Sequence, residues 1–503
     1  MGGSRGIGGL EEGLLPMRKR AGWRQGEEGG ETPPLRKLEE IAMNDSVKSK
    51  RAELEGVHRV YRENCGEWEF FRTAYLGGRE WEEAGLLYRY VHELGPEFAE
   101  RLRQTPMENH CKSVVHTYSG FIWRVPPKRS FGALEGNRAA AALNGNADKE
   151  GGSLNEVMKE VQIWASVFGC VWVVMDKPAV RAATKGDEIS RDIRPYLKVY
   201  FPVHVLDWRF EESGSGSYEL TYLKVRERVD GASGPTGEGW VYRVWTRERV
   251  EVWRVDGAGE PVLVAEGVNE VGVVPAVVHY NTKPLERGVA VSDLQDVARM
   301  QRSMYNDMSE LGQMVRGSNH KTLVKNKGDD ASTGAGGVIV MHEDTVPEKR
   351  PYLLQADAEA LLGLLQAIEM KVEMINRMAH LTPVRTYRSA VASGVAIETE
   401  FQFLNTLLAE KAAQLSVTEN QLFRIFCRWE GVDYDAANVV VTYPQRFELR
   451  DRRADLDFLV RAKEVTAKIG SLTLQREIDR QLARVVLERD DVLEVVEGEL
   501  AGG

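Results

Sequence analysis

Three short segments carry carboxylates at spacings that could hold divalent metal ions: residues 293–296, 397–400 and 451–457. A metal-dependent nuclease uses such groups to bind two ions, which activate water and stabilise the leaving oxygen. No third ligand, general base or lysine stands at a recognisable spacing beside any of the three segments. Each is typical of a helix N-terminus or a solvated helix face. A nuclease is therefore kept as the weaker alternative, and the sequence assigns no metal site and no catalytic residue.

Two other patterns resemble chemical sites. Residues 2–9, GGSRGIGG, are similar to the glycine-rich turn of short-chain dehydrogenases, which needs a buried strand before it and a helix after it. Here no strand can precede Gly2, and no tyrosine is followed four residues later by lysine. We interpret residues 1–45, rich in Gly, Glu and Arg, as a mobile arm. His110 and His116 lack acidic or cysteine partners at helical spacing, which favours packed or surface histidines over metal ligands.

Composition excludes several classes of protein. The 503 residues are 43% hydrophobic, enough for two to four domains with real cores. A net charge of -10 argues against a protein that coats DNA, although DNA could slide past such a surface without sticking. No apolar run reaches about 18 residues, and no signal segment is seen, so we expect no membrane span and synthesis in the bacterial cytoplasm. The cysteines are scattered, as expected in a reducing cytoplasm: Cys65, Cys111, Cys170 and Cys427.

The first half of the chain predicts a mixed α/β body. Helical patterns cover residues 46–103, 107–124 and 154–168, and residues 169–176 predict a buried strand. Residues 196–278 alternate in the manner of β-strands separated by Gly, Ser and Asp turns. The tryptophans of this region favour sheet packing over a base-stacking platform, because no regular basic residues accompany them.

The second half is mainly helical. One helix is predicted from an N-cap at Ser292 to about Arg316, and another from about Ala356 to 379. Between them lie two strand-like pieces around a Gly, Ser and Asp loop, the second at 337–343. A helix of about 50 Å then runs from 395 to 429 and ends at Gly431. A strand at 438–447 must return to a sheet made earlier, and two charged helices broken at 470–471 complete the chain.

This order of elements resembles the portal (head-to-tail connector) proteins of tailed bacteriophages, over residues 50–500. One local likeness is a proline, an apolar run, Tyr-Asn, Ser-Asp-Leu and then a helix with Tyr-Asn and Ser. These positions are Pro275, Tyr280, Asn281, Ser292, Asp293, Leu294, Tyr305, Asn306 and Ser309. The other likeness is the segment 392–415, which is similar to the small-residue turn and long helix that follow the portal tunnel loop.

The resemblance implies a multidomain α+β portal fold with an α/β wing, a helical stem, a small β-containing clip, a long wing helix and a helical crown. Residues 1–45 would be the arm and 46–290 the first part of the wing. The remaining parts would be stem helices 291–316 and 353–380, clip 317–352, tunnel loop 381–395, wing 396–451 and crown 452–503. By this resemblance Arg385, Tyr387 and Arg388 are candidates for contact with DNA in the tunnel loop. The candidates for docking in the clip are Lys325, Lys327, Asp329, Asp330, Lys349 and Arg350.

The stem helices are net acidic, and Asp307, Glu310, Glu369 and Glu373 are candidates for lining a channel. An acidic lining lets DNA pass without a deep binding well, whereas a basic one would hold phosphates. Solvated faces or ion pairs between subunits explain the same charges equally well. Family members form rings of twelve at one capsid vertex of the virion, so the resemblance implies a homo-oligomer. The other partners that it implies are double-stranded DNA passing through the channel, the terminase large subunit, adaptor proteins and the major capsid or scaffold protein. No cofactor and no enzymatic activity are expected; another head–tail structural protein is the remaining alternative.

Overall fold

The computed structural model describes residues 49–178, 182–230, 238–255, 260–284, 286–319, 322–324, 346–350, 352–354, 358–385, 394–447, 452–486, 495–496 and 498–500. Helices and four antiparallel sheets are found in these ranges, which confirms the α+β class. The predicted arm at residues 1–45 and the predicted strand at 337–343 lie outside them.

Helices dominate the first part of the described chain. Helix α1 covers residues 49–55, and it is followed by α2 (Arg59–Leu76), α3 (Gly78–Glu83), α4 (Gly95–Gln104), α5 (His110–Ile122), α6 (Arg138–Gly145) and α7 (Leu154–Phe168). Their apolar faces meet in one core, to which α2, α5 and α7 contribute Trp68, Val114 and Val161. Helix α7 begins with a capping box, in which Ser153 accepts from the amide of Glu156 and the Glu156 carboxylate accepts from that of Ser153.

Two antiparallel sheets follow. The smaller has the order β3-β2-β9, with β2 (Cys170–Asp176) between β3 (Tyr196–Tyr200) and β9 (Ala276–Tyr280). Helices α7 and α12 pack against strand β2, and its residues are buried on both faces. This burial accounts for the continuous apolar run in its sequence. The larger sheet is a meander: β4 (Val205–Glu212), β5 (Tyr218–Asp230), β6 (Glu238–Thr246), β7 (Arg249–Val255) and β8 (Pro261–Val268). Both the predicted β2 and the predicted β-rich region are confirmed. A short helix, α8 (Lys185–Ser190), lies between β2 and β3.

Two helices then leave this body as an antiparallel pair, α9 (Val297–Asn319) and α10 (Ala358–Met378), which we call the stem hairpin. At the far end, strand β10 (Thr322–Val324) pairs with β11 (Tyr352–Leu354). The prediction that Ser292 caps the first stem helix is wrong, since α9 begins at Val297. The Ser292 hydroxyl instead donates to the carbonyl of Val167 at 2.5 Å and accepts from the amide of Leu294 in a tight turn.

After the short helix α11 (Thr382–Arg385), the 37 residues of α12 (Gly394–Glu430) span about 55 Å and pack against β9, α5 and α7. Gly431 ends the helix with a φ of 68°, as predicted. Helix α13 (Tyr434–Ala437) precedes β12 (Val440–Thr442). This strand does return to earlier chain, but it is only three residues long and pairs with β1 (Lys128–Ser130). Helices α14 (Arg452–Ile469) and α15 (Leu472–Val486) pack together at the end.

Candidate functional site

The stem hairpin is buried at its base and increasingly exposed away from the body. In α9, residues near the base such as Ala298 and Gln301 are fully buried, whereas Val315 near the far end is 39% exposed. In α10, Ile375 at the base is fully buried and Leu362 near the far end is 58% exposed. The hairpin thus projects from the chain that carries it, over about 34 Å for the 23 residues of α9.

The four candidate lining residues fall into two groups. Asp307 forms an ion pair with Lys371 between the two stem helices, and Glu310 accepts a hydrogen bond from Tyr90 at 2.6 Å. Glu369 and Glu373 are exposed and lie one turn apart on α10. At 100° per residue they point away from Lys371, the side chain that faces α9. The structure therefore places Glu369 and Glu373 together on one outward face of α10. Asp307 and Glu310 are instead paired with Lys371 and Tyr90 of the same chain.

Most of the other candidates lie outside the described residues. This is true of Tyr387 and Arg388 in the loop, and of Lys325, Lys327, Asp329 and Asp330 in the segment between the stem helices. Arg385 is the last residue of helix α11, and Lys349 is the last residue of the short turn Pro347–Lys349. Arg350 follows that turn and is exposed.

The base of the stem is held by a buried ionic contact that the sequence does not predict. Lys411 of α12 is 2% exposed and donates to both carboxylate oxygens of Asp293, at 2.9 and 2.7 Å. It also donates to the side-chain oxygen of Asn281 at 2.5 Å, and the side-chain amide of Asn281 donates to Asp293 at 2.9 Å. With Ser292, these side chains form what we call the stem junction. A buried ammonium is stable only with such partners, so the junction fixes α12 to the start of the stem.

A close approach of two backbones places the junction. Gly169 has a φ of 89°, and a Cβ atom there would lie 1.9 Å from the carbonyl oxygen of Ala290. The backbone amide of Asn281 donates to the carbonyl of Gly169 at 2.8 Å. Glycine is required here because both the backbone angle and the space exclude a side chain. The end of α7 is therefore pressed against the segment that leads into the stem.

His279 lies beside the junction as a neutral histidine. Its Nδ1 is 2.8 Å from the hydroxyl of Thr418, and that hydroxyl donates to the carbonyl of Gln414. Because the hydroxyl proton is used, His279 donates from Nδ1. Burial, and then the Lys411 ammonium, lowers the pKa of His279 to about 3.

A second cluster holds a loop against the outside of α9. Arg101 is 2% exposed and makes a two-pronged ion pair with Glu93, at 2.7 and 2.8 Å. The hydrogen bond from Arg101 lowers the pKa of Glu93. Arg101 also donates to Ser309 of α9 at 2.9 Å and to the carbonyl of Tyr88 at 2.6 Å. Residues 86–94, which we call the outer loop, are in this way fastened to the stem.

No protein-family model and no curated protein match the sequence. Among solved structures, the chain is similar to one in the neck of an empty GTA particle computed with C6 symmetry, at 10% identity and a TM-score of 0.42, covering 80% of this chain and 99% of that one. It is similar to a chain of the virion of a native gene transfer agent (GTA) particle, at 10% identity and a TM-score of 0.36, covering 79% and 94%. It is also similar to a chain in the neck of a native GTA particle computed with C12 symmetry, at 12% identity and a TM-score of 0.35, covering 80% and 95%.

At these identities and TM-scores, no role passes from those chains to this one.

Several motif residues of the portal resemblance are joints between elements. Asn281, Ser292 and Asp293 meet at the stem junction, while Asn306 accepts from the amide of Tyr88 at 2.8 Å and holds the outer loop. Sequence reasoning missed Lys411 and Arg101, the cations that complete both joints. A lysine on the buried side of the long helix, at the spacing of Leu404, Leu408 and Leu415, was the signal for Lys411.

Among the residues that the structure describes, no three histidine, cysteine, aspartate or glutamate side chains come together as a metal site needs. Asp293, from the first carboxylate segment considered for a nuclease, is neutralised by Lys411. Across the same described ranges, no helix has the length and apolar character to cross a bilayer.

Proposed function

We propose that this chain is the subunit of a portal ring, a structural protein at one capsid vertex of a phage-like virion. Copies of the stem hairpin, side by side, would surround a channel for DNA during packaging and ejection. The far end of the hairpin, with β10 and β11, would be the clip on which the terminase large subunit and later the adaptor proteins dock. The body would be the wing, in contact with capsid or scaffold protein, and α14 with α15 the crown.

The observation that carries this proposal is the stem hairpin itself. An antiparallel pair of helices projects from the body, is ionically fastened at its base, and bears exposed apolar side chains along its outer part. Exposed apolar residues on a long helix call for neighbours, and a closed head-to-tail ring supplies the same neighbour to every copy. The number twelve comes from the resemblance to portal proteins.

The assembly test is direct. Purified protein is expected to form rings with a central hole in negative-stain micrographs, and a mass near twelve times 56.5 kDa by light scattering. A stable monomer or dimer contradicts the proposal. A divalent-dependent nuclease activity in such a monomer would favour the alternative instead.

A second test addresses passage by weak contact. Replacing Glu369 and Glu373 with lysine turns an acidic outward face basic in every copy. We expect the variant ring to bind DNA with a steeper dependence on salt than the unmodified ring, since each added phosphate contact releases counterions. The control makes the same charge change at Glu211 and Glu212, exposed on β4 in the body. Equal salt dependence in both variants would remove α10 from the channel wall.

The tunnel loop is tested separately. Changing Arg385 and Arg388 to alanine is expected to impair packaging and retention of DNA, since both are proposed to touch phosphate. Unaltered packaging and retention would show that these arginines do not contact DNA.

A further inference from the structure

The outer loop presents an unusually exposed apolar tip on a fixed frame. Val91 is 92% exposed and Leu94 is 63% exposed, yet the backbone around them is tied down. Arg101 holds Glu93 by two hydrogen bonds, and the Leu94 amide donates to Glu97 at 3.1 Å. Tyr90 lies over the Arg101 guanidinium at 4.2 Å. A loop fastened this firmly with its apolar side chains outward is shaped to contact another surface.

A second apolar surface lies on the outward side of α10. Leu362 is 58% exposed and Leu365 is 37% exposed. Both point away from the Lys371 side that faces α9, and Leu365 is turned about 40–80° around α10 from Glu369 and Glu373. The apolar patch therefore lies beside the acidic face and nearer the far end of the stem. The outer loop and helix α10 contact different sides of α9. Asn306 and Gln313, next to the loop, lie roughly 100° around the helix from Ser303 and Asp307, which contact Lys371. One chain therefore carries the two surfaces on different sides of its stem.

The two surfaces stand at the same height along the stem. Asp307 and Lys371 are paired, which sets the level at which α9 and α10 correspond. Tyr90, next to Val91, donates to Glu310, which is three residues beyond Asp307, and Val91 borders the same hollow as Gln313, six residues beyond Asp307. Val91 therefore lies about 5–9 Å beyond Asp307 towards the far end. Leu365 stands six residues before Lys371 in the antiparallel helix, which is again about 9 Å in the same direction. Val91 and Leu365 are thus level to within about one helical turn.

Equal height matters because a closed ring is generated by rotation alone. In the proposed ring the stem runs along the ring axis. Rotation about that axis moves every atom sideways and leaves its height unchanged, so two patches that meet between copies must be level. A pair of patches at different heights would build an open helix. We propose that the tip of the outer loop, with Val91 and Leu94, packs on Leu362 and Leu365 of the next copy. This contact rests on the proposed ring, and it names the part of the ring interface that lies in the stem.

Disulfide trapping tests the contact. In a Cys65→Ser background, which removes the one cysteine that is half-buried rather than buried, Val91→Cys and Leu365→Cys are combined in one chain. Oxidation of the purified ring is expected to give a ladder of covalent multimers on a non-reducing gel, which collapses on reduction. Each single variant should give no ladder, and a mixture of the two single variants should give dimers, as a head-to-tail contact requires.

The matched control tests the height argument. Val372 lies within about 20° of Leu365 around α10 and is also partly exposed, but it stands seven residues nearer the base, about 10 Å away along the stem. Val91→Cys with Val372→Cys is expected to give no ladder. A ladder with Val372, or rings that show no ladder with Leu365, would overturn this contact and leave the ring intact. Absence of rings under all conditions would instead remove the proposed function, and the contact with it.

An equilibrium measurement adds an independent readout. Val91→Asp is expected to raise the protein concentration needed for ring assembly by about tenfold or more, since it places an unpaired charge against leucines. Val91→Lys combined with Leu365→Glu should restore assembly, because the two charges attract when the side chains meet. Failure of the charge pair to improve on Val91→Lys alone argues against the contact.

Discussion

Replacing Lys411 with methionine is expected to release the base of the stem from α12. Asp293 is only 11% exposed and would keep its negative charge with Asn281 as a remaining partner. Removing one member of a buried ion pair costs about 3–5 kcal/mol, because the other charge stays buried without compensation. Asp293→Asn strands the Lys411 ammonium, which is 2% exposed, and is expected to cost a similar amount.

The double variant separates the pair from the rest of the site. With both charges gone, no uncompensated charge remains, so Lys411→Met with Asp293→Asn is expected to cost about 2–3 kcal/mol less than the sum of the two single changes. Lys463→Met is the control, because Lys463 pairs with Asp479 at 2.5 Å near the surface. The Lys463 side chain is 55% exposed and that of Asp479 is 31% exposed. That surface pair is worth about 1 kcal/mol or less.

Amide hydrogen exchange measures the effect where it occurs. A local loss of about 3 kcal/mol corresponds to roughly a hundredfold faster exchange at amides that open locally. We expect this acceleration in residues 294–301 and 408–414 of the Lys411→Met protein, with α14 and α15 unchanged. Exchange within about threefold of the unmodified protein, or single changes that simply add in the double variant, would refute the view that this ion pair holds the stem to the body.

Three further predictions concern the same region. The folded chain holds the pKa of His279 at about 3, whereas the unfolded chain has the ordinary value near 6.5, so the unfolded state binds more protons between these values. Stability should therefore fall as pH drops below about 6.5, by about 2 kcal/mol at pH 5, and His279→Gln should flatten this part of the unfolding profile. Gly169→Ala should destabilise by at least about 2 kcal/mol in thermal unfolding, whereas Gly120→Ala, with open space around it in α5, should not. Glu419→Gln should destabilise strongly in urea unfolding, because Glu419 is fully buried between Arg129 and the Tyr443 hydroxyl, while Glu100→Gln on the surface should be neutral.

Much of the fold could be predicted because its signals are local. The apolar run at 169–176, the alternation after residue 196 and the apolar spacing of the long helix each specify one element without reference to the rest of the chain. The start of α9 could not be predicted in this way. Ser292 has the residue type and position of an N-cap, but contacts with Val167, 125 residues away, hold it in a turn instead.

The candidate site was predicted less well, for the same physical reason. Charge on a helix surface does not show which charges meet a partner from a distant segment. Glu369 and Glu373 share an outward face because they are four residues apart, which the sequence does reveal. The partners of Asp293 and Glu93 could be found only once α12 and α4 had been placed.

The stem junction also sets an order of events during synthesis. Lys411 lies 118 residues after Asp293 and 130 after Asn281, so the joint closes only after more than a hundred further residues have been made. Until then Asp293 lacks its cation and the stem helices lack their anchor on α12. Nascent chains that have not reached Lys411 therefore cannot present anchored stems to one another. In the proposed ring, this delay would keep exposed apolar helices from associating before each stem is fastened to its own body.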